Sequence, residues 1–294
     1  MSKGLISAES IVPETVLGVV QGGPDSLSIC KTLAALAEDG KLSGCVAPTN
    51  STIAILAPIP RPLKNVFCVG KNYRAHITEG AVAQGIKDEA PEFPVFFSKP
   101  PTSVIGPGSE IQINAEVSEM VDYEVELGVV VGKAGCNIPA QDAIDHIFGF
   151  TIINDISARD VQRRHGGQYL KGKGMDTFCP IGPCIVTIDE LSDFENLRIA
   201  LSVNGETRQD GSTAQMMFKV PDLIESLSAG TTLEPGDLLA TGTPSGVGYA
   251  MSPPQFLKHG DEIVCSVEGI GELRNTVRDV TPAHKGTAAA TAAE

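Results

Sequence analysis

A run of ten residues from Asp122 to Val131 (DYEVELGVVV) places the strongest constraint on how this chain folds. Its second half is apolar and β-branched, which predicts a buried strand. Its first half carries Glu124 and Glu126, and residues i and i+2 of a strand point to the same face. Like charges held so close repel each other. The strand therefore either begins in a solvated acidic edge or holds two carboxylates around a cation.

A third carboxylate favours the cation. The apolar run from Phe148 to Asp155 predicts a second buried strand that ends in Asp155. Mg²⁺, Mn²⁺ and Ca²⁺ are hard cations that prefer carboxylate oxygens. Asp155 is therefore a candidate third ligand beside Glu124 and Glu126.

His76 and Glu79 are a candidate catalytic base. They are three residues apart, so on a short helix they share a face and can form a hydrogen bond. A carboxylate behind an imidazole orients the ring and raises its basicity, as a general base requires. The alternative is a surface histidine beside a glutamate at the end of a helix.

Basic residues follow the second strand. The glycine-rich segment from Val161 to Pro183 carries several of them, and a loop lysine such as Lys173 can neutralise a substrate carboxylate or enolate. Its glycine spacing matches neither a Walker motif nor a Rossmann fingerprint, which excludes nucleotide binding. Lys99 ends another predicted strand and either forms a structural ion pair or reaches the site.

Two further segments border these candidates. The polar segment from Ala81 to Pro94 predicts a mobile loop or lid. The glycine-rich segment from Thr241 to Gly248 follows a predicted strand. It either presents backbone N–H groups and the Thr243 hydroxyl to an anion or forms a simple tight turn.

Composition excludes several classes of partner. The formal net charge is -14, which argues against nucleic acid and against anionic membranes. No apolar run reaches membrane-spanning length and no secretory signal pattern begins the chain, so a cytoplasmic location is predicted. The seven cysteines include no CxxC pair and are interpreted as reduced thiols.

The chain divides into three predicted regions. Residues 1–60 form a small N-terminal α/β domain, in which the spacing from Ser28 to Asp39 predicts a helix. The proline-rich stretch from Pro58 to Pro62 marks the boundary with a main domain at 61–280. The low-complexity tail at 281–294 is predicted to be disordered.

Six motifs together resemble the fumarylacetoacetate hydrolase family, particularly its acylpyruvate and fumarylpyruvate hydrolases. The order and spacing match over about residues 62 to 280. The motifs are NYxxHxxE at 72–79, YEVELGVVVG at 123–132, NDISARD at 154–160, GKGMDTFCPIGP at 172–183, NGETRQDGST at 204–213 and TGTPSGVG at 241–248. The combination is specific, although each motif alone is weak.

The resemblance implies a fold, a metal and a set of roles. The fold is α+β and mostly β, a mixed β-sandwich roll, and the protein is a homodimer. One Mg²⁺ or Mn²⁺ is held by three carboxylates, and Ca²⁺ can replace it in crystals. The implied residues are Glu124, Glu126 and Asp155 for the metal, His76, Glu79 and Lys173 for catalysis, and Thr243, Tyr73 and Gln168 for substrate binding. Gly174 and Met175 depart from the Ser-Phe that often follows the family's lysine.

The predicted function is metal-dependent hydrolysis of a C–C bond in a 2,4-diketo acid, a small anionic 2-oxo acid substrate. In this hypothesis His76, oriented by Glu79, activates a water molecule, and the metal and Lys173 stabilise the leaving enolate. Oxaloacetate decarboxylation, or tautomerisation or hydration of a 2-oxo acid, uses the same enolate and is the alternative. A non-catalytic ligand-binding protein on the same fold is a third possibility.

Overall fold

Two β-sheets dominate the fold. The computed structural model describes residues 13–42, 53–191 and 193–282. The helices are α1 Val16–Gln21, α2 Gly23–Glu38, α3 Arg74–Gln84, α4 Arg159–Arg164, α5 Tyr169–Lys173 and α6 Val220–Ser228. The strands are β1 Val66–Gly70, β2 Val95–Lys99, β3 Val104–Ile105, β4 Glu110–Ile113, β5 Val121–Asp122, β6 Val125–Val131, β7 Ile147–Asn154, β8 Ser157–Ala158, β9 Cys179–Thr187, β10 Arg198–Val203, β11 Glu206–Ser212, β12 Leu238–Ala240, β13 Glu262–Val267 and β14 Gly271–Asp279.

The two large sheets pack face to face. One has seven strands in the order β2-β1-β12-β6-β7-β9-β3, and the other has five in the order β11-β10-β13-β14-β4. Alternate residues of β6 (Val125, Leu127 and Val129) contribute to the apolar core that also holds β10, β13 and β14 residues such as Ile199, Cys265 and Leu273. Since strand side chains alternate between faces, Glu126 and Val130 must lie on the opposite face of the large sheet.

That opposite face has its own apolar layer. Val130 and Ile153 pack there with Val66, Cys68 and Leu238, and α1 covers them through Val20. The described part of the predicted N-terminal domain has two helices and no strand in residues 13–42 and 53–60. Its division from the rest near residue 60 stays a prediction, and most of the predicted tail lies outside the described residues.

Most predicted elements are confirmed. The helix expected at Ser28–Asp39 is α2, which begins earlier, at Gly23. Asn204-Gly205 is a dipeptide that predicts a two-residue hairpin turn, and it joins β10 to β11 with both residues at positive φ, as such a turn requires. No helix in the described ranges is both long and apolar enough to cross a membrane.

Two elements differ in extent or type from what the sequence predicts. Pro139 and the apolar stripe of Ala143, Ile144 and Ile147 predict a helix from Ile138 to Ile147, and the structure has a shorter 3-10 helix, Ala140–His146, in which only Ala143 is buried. The predicted loop from Ala81 begins later, since residues 81–84 continue α3 and Gly85 ends it in the left-handed conformation.

Asn72 fastens the end of β1 to two distant segments. Its side-chain amide donates to the carbonyls of Phe218 and Thr241 and accepts from the Phe218 N–H, at 2.8–3.0 Å.

Replacing Asn72 by alanine leaves these buried groups unpaired, so we expect a loss of about 3 kcal/mol in the free energy of unfolding. Urea denaturation measures it. The exposed Asn65→Ala is the control, with a loss below about 0.5 kcal/mol; an equal loss in both variants would contradict the role of Asn72.

Candidate metal centre and active-site cleft

Strand register brings the three predicted metal ligands together. Glu126 lies opposite Ile153 in the antiparallel pair of β6 and β7. Two residues further along each strand, the N–H of Asp155 donates to the carbonyl of Glu124 at 2.8 Å. The side chains of Glu124, Glu126 and Asp155 therefore share one face, and an oxygen of each lies within 4.8 Å of the others. All three are at most 4% exposed, so this is not a solvated acidic edge.

The acidic strand is interrupted where the sequence predicts continuity. Residues 123 and 124 separate β5 from β6. The Asp122 carboxylate accepts from the backbone N–H groups of Tyr123, Gly248 and Tyr249 at 2.8–3.1 Å, and Asn154 accepts from the Glu124 N–H. The side chains of Asp122 and Asn154 thus accept hydrogen bonds from backbone N–H groups that a regular β-ladder would pair. The backbone at Glu124 can therefore leave the strand, and its side chain turns toward the site.

Three buried basic groups surround the carboxylates. Lys99 donates to Asp155 at 2.5 Å, and Lys173 donates to Asp155 at 2.5 Å and Glu124 at 2.8 Å. Arg159 pairs with Glu124 at 2.6 Å and Asp122 at 2.9 Å. The sequence suggested that Lys173 belongs to a loop. In the structure it is the last residue of the short helix α5. Helical placement fixes its direction toward the carboxylates.

Glu126 is the carboxylate that these basic groups leave unmatched. No basic side chain of the described residues forms an ion pair with it, and its recorded partner is the Gly242 N–H at 2.7 Å. Burial, followed by the charges of Asp155 and Glu124, raises the pKa of Glu126 well above its ordinary value. Burial also acts to raise the pKa of Glu124, but Lys173 and Arg159 outweigh it and hold that pKa below its ordinary value.

These residues fit a hard divalent cation. Three carboxylate oxygens converge in a buried site. Burial and the neighbouring charges of Asp155 and Glu124 raise the pKa of Glu126, and a cation would stabilise the charged form that they disfavour. Glu124, Glu126 and Asp155 would be its ligands. Lys99 and Lys173 hold the Asp155 carboxylate from opposite oxygens, which orients it as outer partners orient metal ligands.

His76 and Glu79 form the predicted pair on α3. The His76 Nδ1–H donates to Glu79 Oε1 at 2.8 Å. A carboxylate oxygen accepts this hydrogen bond, so Nδ1 carries a proton, and in the neutral imidazole the lone pair is then on Nε2. The other oxygen, Glu79 Oε2, accepts from the Gly246 N–H at 2.8 Å. Glu79 is thereby fixed to the segment from Thr241 to Gly248.

Three backbone N–H groups of the glycine-rich segment 241–248 are bonded inside the protein and are not available to a bound anion. Gly242 donates to Glu126, Gly246 to Glu79 and Gly248 to Asp122, at 2.7–2.8 Å. The anion-binding interpretation is therefore wrong for these three groups, because the protein's own carboxylates occupy them. The segment instead links the carboxylates of Glu126, Glu79 and Asp122 through its backbone.

The site opens into a cleft of about 270 Å³. Its lining residues are Val69, Gly70, Lys71, His76, Gln84, Ile86, Glu124, Glu126, Arg159, Gln162, Arg163, Gly167, Tyr169, Lys173, Thr243 and Tyr249. Most predicted site residues therefore meet here, and Asp155 lies behind Glu124 and Lys173. Thr243 lines the cleft while its hydroxyl donates to the Val125 carbonyl and accepts from Gln209 at 2.8 Å.

The structure does not place two predicted substrate-binding side chains in the lining. Tyr73 is 1% exposed, and its hydroxyl has no hydrogen-bond partner among the described residues. Burial and, to a smaller degree, the Glu126 charge raise the pKa of Tyr73. Gln168 is exposed between Gly167 and Tyr169, which do line the cleft.

Sequence reasoning missed three contributors. The sequence favours a structural ion-pair or capping role for Arg159; it does form ion pairs, with Asp122 and Glu124, and it also lines the cleft. Asp122 anchors Arg159, and Tyr249 stacks on the Arg159 guanidinium at 4.5 Å. The signal for Arg159 was its position four residues after Asp155, at the start of α4. No local signal marks Tyr249.

Fold and site together define a class of protein: a β-sandwich protein with a buried three-carboxylate centre facing a His–Glu pair across a small cleft. The model of the fumarylacetoacetate (FAA) hydrolase C-terminal family matches residues 65–278. The chain belongs to this family, and its sheet-dominated mixed α/β fold is the fold that the motifs implied.

Several individual proteins of known sequence or structure are similar to this chain. The chain is 48% identical to the oxaloacetate tautomerase YisK of Bacillus subtilis (strain 168), over 77% of this chain and 74% of that protein. It is 45% identical to the human mitochondrial oxaloacetate tautomerase FAHD2A, over 90% and 80%. Among solved structures, fumarylacetoacetate hydrolase from the psychrophilic Exiguobacterium antarcticum superposes with a TM-score of 0.74 at 39% identity, over 91% and 88%. A 5-carboxymethyl-2-hydroxymuconate delta-isomerase from Mycobacterium smegmatis gives 0.65 at 42%, over 76% and 79%.

Proposed function

We propose that this protein is a divalent-metal-dependent tautomerase that interconverts the enol and keto forms of oxaloacetate or a similar 2-oxo acid. The observation that carries the proposal is that His76, hydrogen-bonded to Glu79, lines the same cleft as the carboxylates Glu124 and Glu126. The names of the relatives support isomerisation over the C–C hydrolysis that the motifs first suggested.

Tautomerisation moves one proton off the enol oxygen and places one on the neighbouring carbon. The Nε2 atom of neutral His76 carries the lone pair that accepts the proton from the enol oxygen, Glu79 stabilises the resulting imidazolium, and the imidazolium returns a proton to the neighbouring carbon, which restores the neutral imidazole. Lys173 keeps a positive charge beside the developing enolate oxygen. A divalent cation on Glu124, Glu126 and Asp155 would supply Lewis-acid stabilisation of that enolate.

Hydrolysis of a 2,4-diketo acid is the second candidate function. The same His76–Glu79 pair can remove a proton from water, so the geometry of the base supports this reaction as well. The two candidates differ in product, because hydrolysis breaks a C–C bond and tautomerisation breaks none.

One experiment separates these functions. The purified protein with Mg²⁺ is mixed with enol oxaloacetate, and the loss of the enol's ultraviolet absorbance is followed beside pyruvate release. We expect rapid enol loss without pyruvate. Parallel mixtures contain small 2,4-diketo acids. Pyruvate from a diketo acid with no acceleration of enol loss would overturn the proposal in favour of hydrolysis, and pyruvate from oxaloacetate would indicate decarboxylation.

Three further predictions accompany this function as proposals. Tyr73 and Gln168 would contact substrate only after a local change, since neither side chain lines the cleft. A homodimer and a cytoplasmic location follow from the resemblance and composition. Light scattering on the purified protein and fractionation of the source cells test them.

A further inference from the structure

Two basic side chains in the cleft are not used by the protein's own carboxylates. Arg159 and Lys173 are committed to ion pairs with Asp122, Glu124 and Asp155. Lys71 and Arg163 also line the cleft, but neither pairs with a carboxylate in the part of the chain that the structure describes. Unpaired cations facing a small cleft are available to an anionic ligand.

The backbone presents Lys71 in a costly conformation. Its φ is 58°, in the left-handed region that L-residues other than glycine and asparagine seldom adopt. The next residue, Asn72, makes three buried hydrogen bonds to the backbone of two other segments and holds the chain in this position. Strain that the surroundings enforce at a cleft residue indicates a functional constraint on that side chain.

Among the described residues, Arg163 contacts an aromatic ring and forms no ion pair with a carboxylate. Its guanidinium lies 5.9 Å from the ring centre of Tyr249, and the Arg159 guanidinium lies 4.5 Å from the same ring. The Tyr249 N–H donates to Asp122, which fixes the ring between the buried network and the cleft. This contact positions Arg163 while leaving its N–H donors free for a carboxylate.

The net charge of the buried groups indicates how many further cations a dianionic ligand would need. Four buried carboxylates (Asp122, Glu124, Glu126 and Asp155) face three buried basic groups (Lys99, Arg159 and Lys173), which leaves one negative charge. A divalent cation would turn this into one positive charge, enough for a single substrate carboxylate. A second carboxylate would need further cations, and Lys71 and Arg163 are the ones that line the cleft.

We propose that Lys71 and Arg163 form a subsite for the distal carboxylate of a dianionic 2-oxo acid and so select dicarboxylic over monocarboxylic substrates. This proposal rests on the proposed function, since it assumes a 2-oxo acid at the carboxylate centre. Arg163 binds the distal carboxylate with its fork of N–H donors, and Lys71 adds a second positive charge.

Paired ligands that differ by one charge test the subsite. Isothermal titration of the Mg²⁺-loaded protein uses N-oxalylglycine, a stable dianion, and its ester at the distal carboxylate, a monoanion. We expect Arg163→Gln to weaken binding of the dianion about tenfold, or about 1.4 kcal/mol, and to change binding of the ester less than twofold. With oxaloacetate and its 4-methyl ester as substrates, the effect is expected in KM for the dianion, with kcat within twofold.

Two further variants complete the test. Arg164→Gln is the matched control, because Arg164 pairs with Asp160 and does not line the cleft; its titrations are expected to match the unmodified protein. Lys71→Gly removes the charge and keeps the positive φ, so the melting temperature should stay or rise while dianion binding weakens. Equal binding of both ligands by the unmodified protein, or an unchanged preference in both variants, would overturn the subsite. Absence of tautomerase activity with the binding preference intact would instead reject the proposed function alone.

Discussion

Replacing Glu126 by glutamine is expected to abolish Mn²⁺ binding while leaving the metal-free protein at least as stable as before. The Glu126 carboxylate has no ion-pair partner among the described residues, and Asp155 and Glu124 repel it. A neutral amide of the same shape relieves that repulsion but is a much weaker ligand. Since altering residues outside the ligand shell already costs 10- to 100-fold in metal affinity, loss of a ligand should cost at least about 100-fold.

Thermal denaturation with and without Mn²⁺ measures both effects. In the unmodified protein, metal at 100 times its dissociation constant should add about 2.7 kcal/mol of stability. In Glu126→Gln that increment should vanish, while the melting temperature without metal stays equal or rises. The exposed Glu119→Gln, outside the cleft, should keep the full increment. A metal-free Glu126→Gln protein that is strongly destabilised would show that the Glu126 carboxylate has a structural role instead.

The carboxylate centre could be foreseen because its geometry is local. Side-chain alternation along a strand predicts that Glu124 and Glu126 share a face, which the structure confirms although Glu124 lies just before β6, and Asp155 follows directly where the neighbouring strand β7 ends. The His76–Glu79 pair follows from helical spacing in the same way. In each case the distance between the residues is set by one secondary-structure element or by one pair of neighbouring strands.

The groups that surround the centre depend on contacts between distant segments. Lys99 reaches Asp155 across 56 positions of sequence, and the Gly242 N–H reaches Glu126 across 116. A glycine-rich segment looks the same in sequence whether its N–H groups meet a substrate or an internal carboxylate. The sequence therefore left open whether this loop binds an anion or forms a tight turn, and the structure shows three of its N–H groups bonded to internal carboxylates.

Replacing His76 by glutamine is expected to lower kcat for enol loss by about 100- to 10,000-fold, the range for removal of a general base. Metal binding should be unchanged, because His76 lies on α3 and none of the three carboxylates depends on it for a hydrogen bond. Glutamine keeps a polar side chain of similar reach but cannot carry the proton. Stopped-flow assays of enol oxaloacetate, with Mn²⁺ titration of the same samples, separate the two effects.

His146→Gln is the matched control for this variant. His146 donates from Nδ1 to the Lys133 carbonyl at 2.9 Å and does not line the cleft, so its loss should leave kcat within about twofold. The kcat of Glu79→Gln should lie between those of His76→Gln and His146→Gln. The glutamine amide still accepts the hydrogen bond from Nδ1–H but no longer supplies the negative charge that stabilises the imidazolium. Full activity in His76→Gln would exclude His76 as the base. Because Lys173 is held by two carboxylates in its charged form, it could not take over that role without losing both ion pairs.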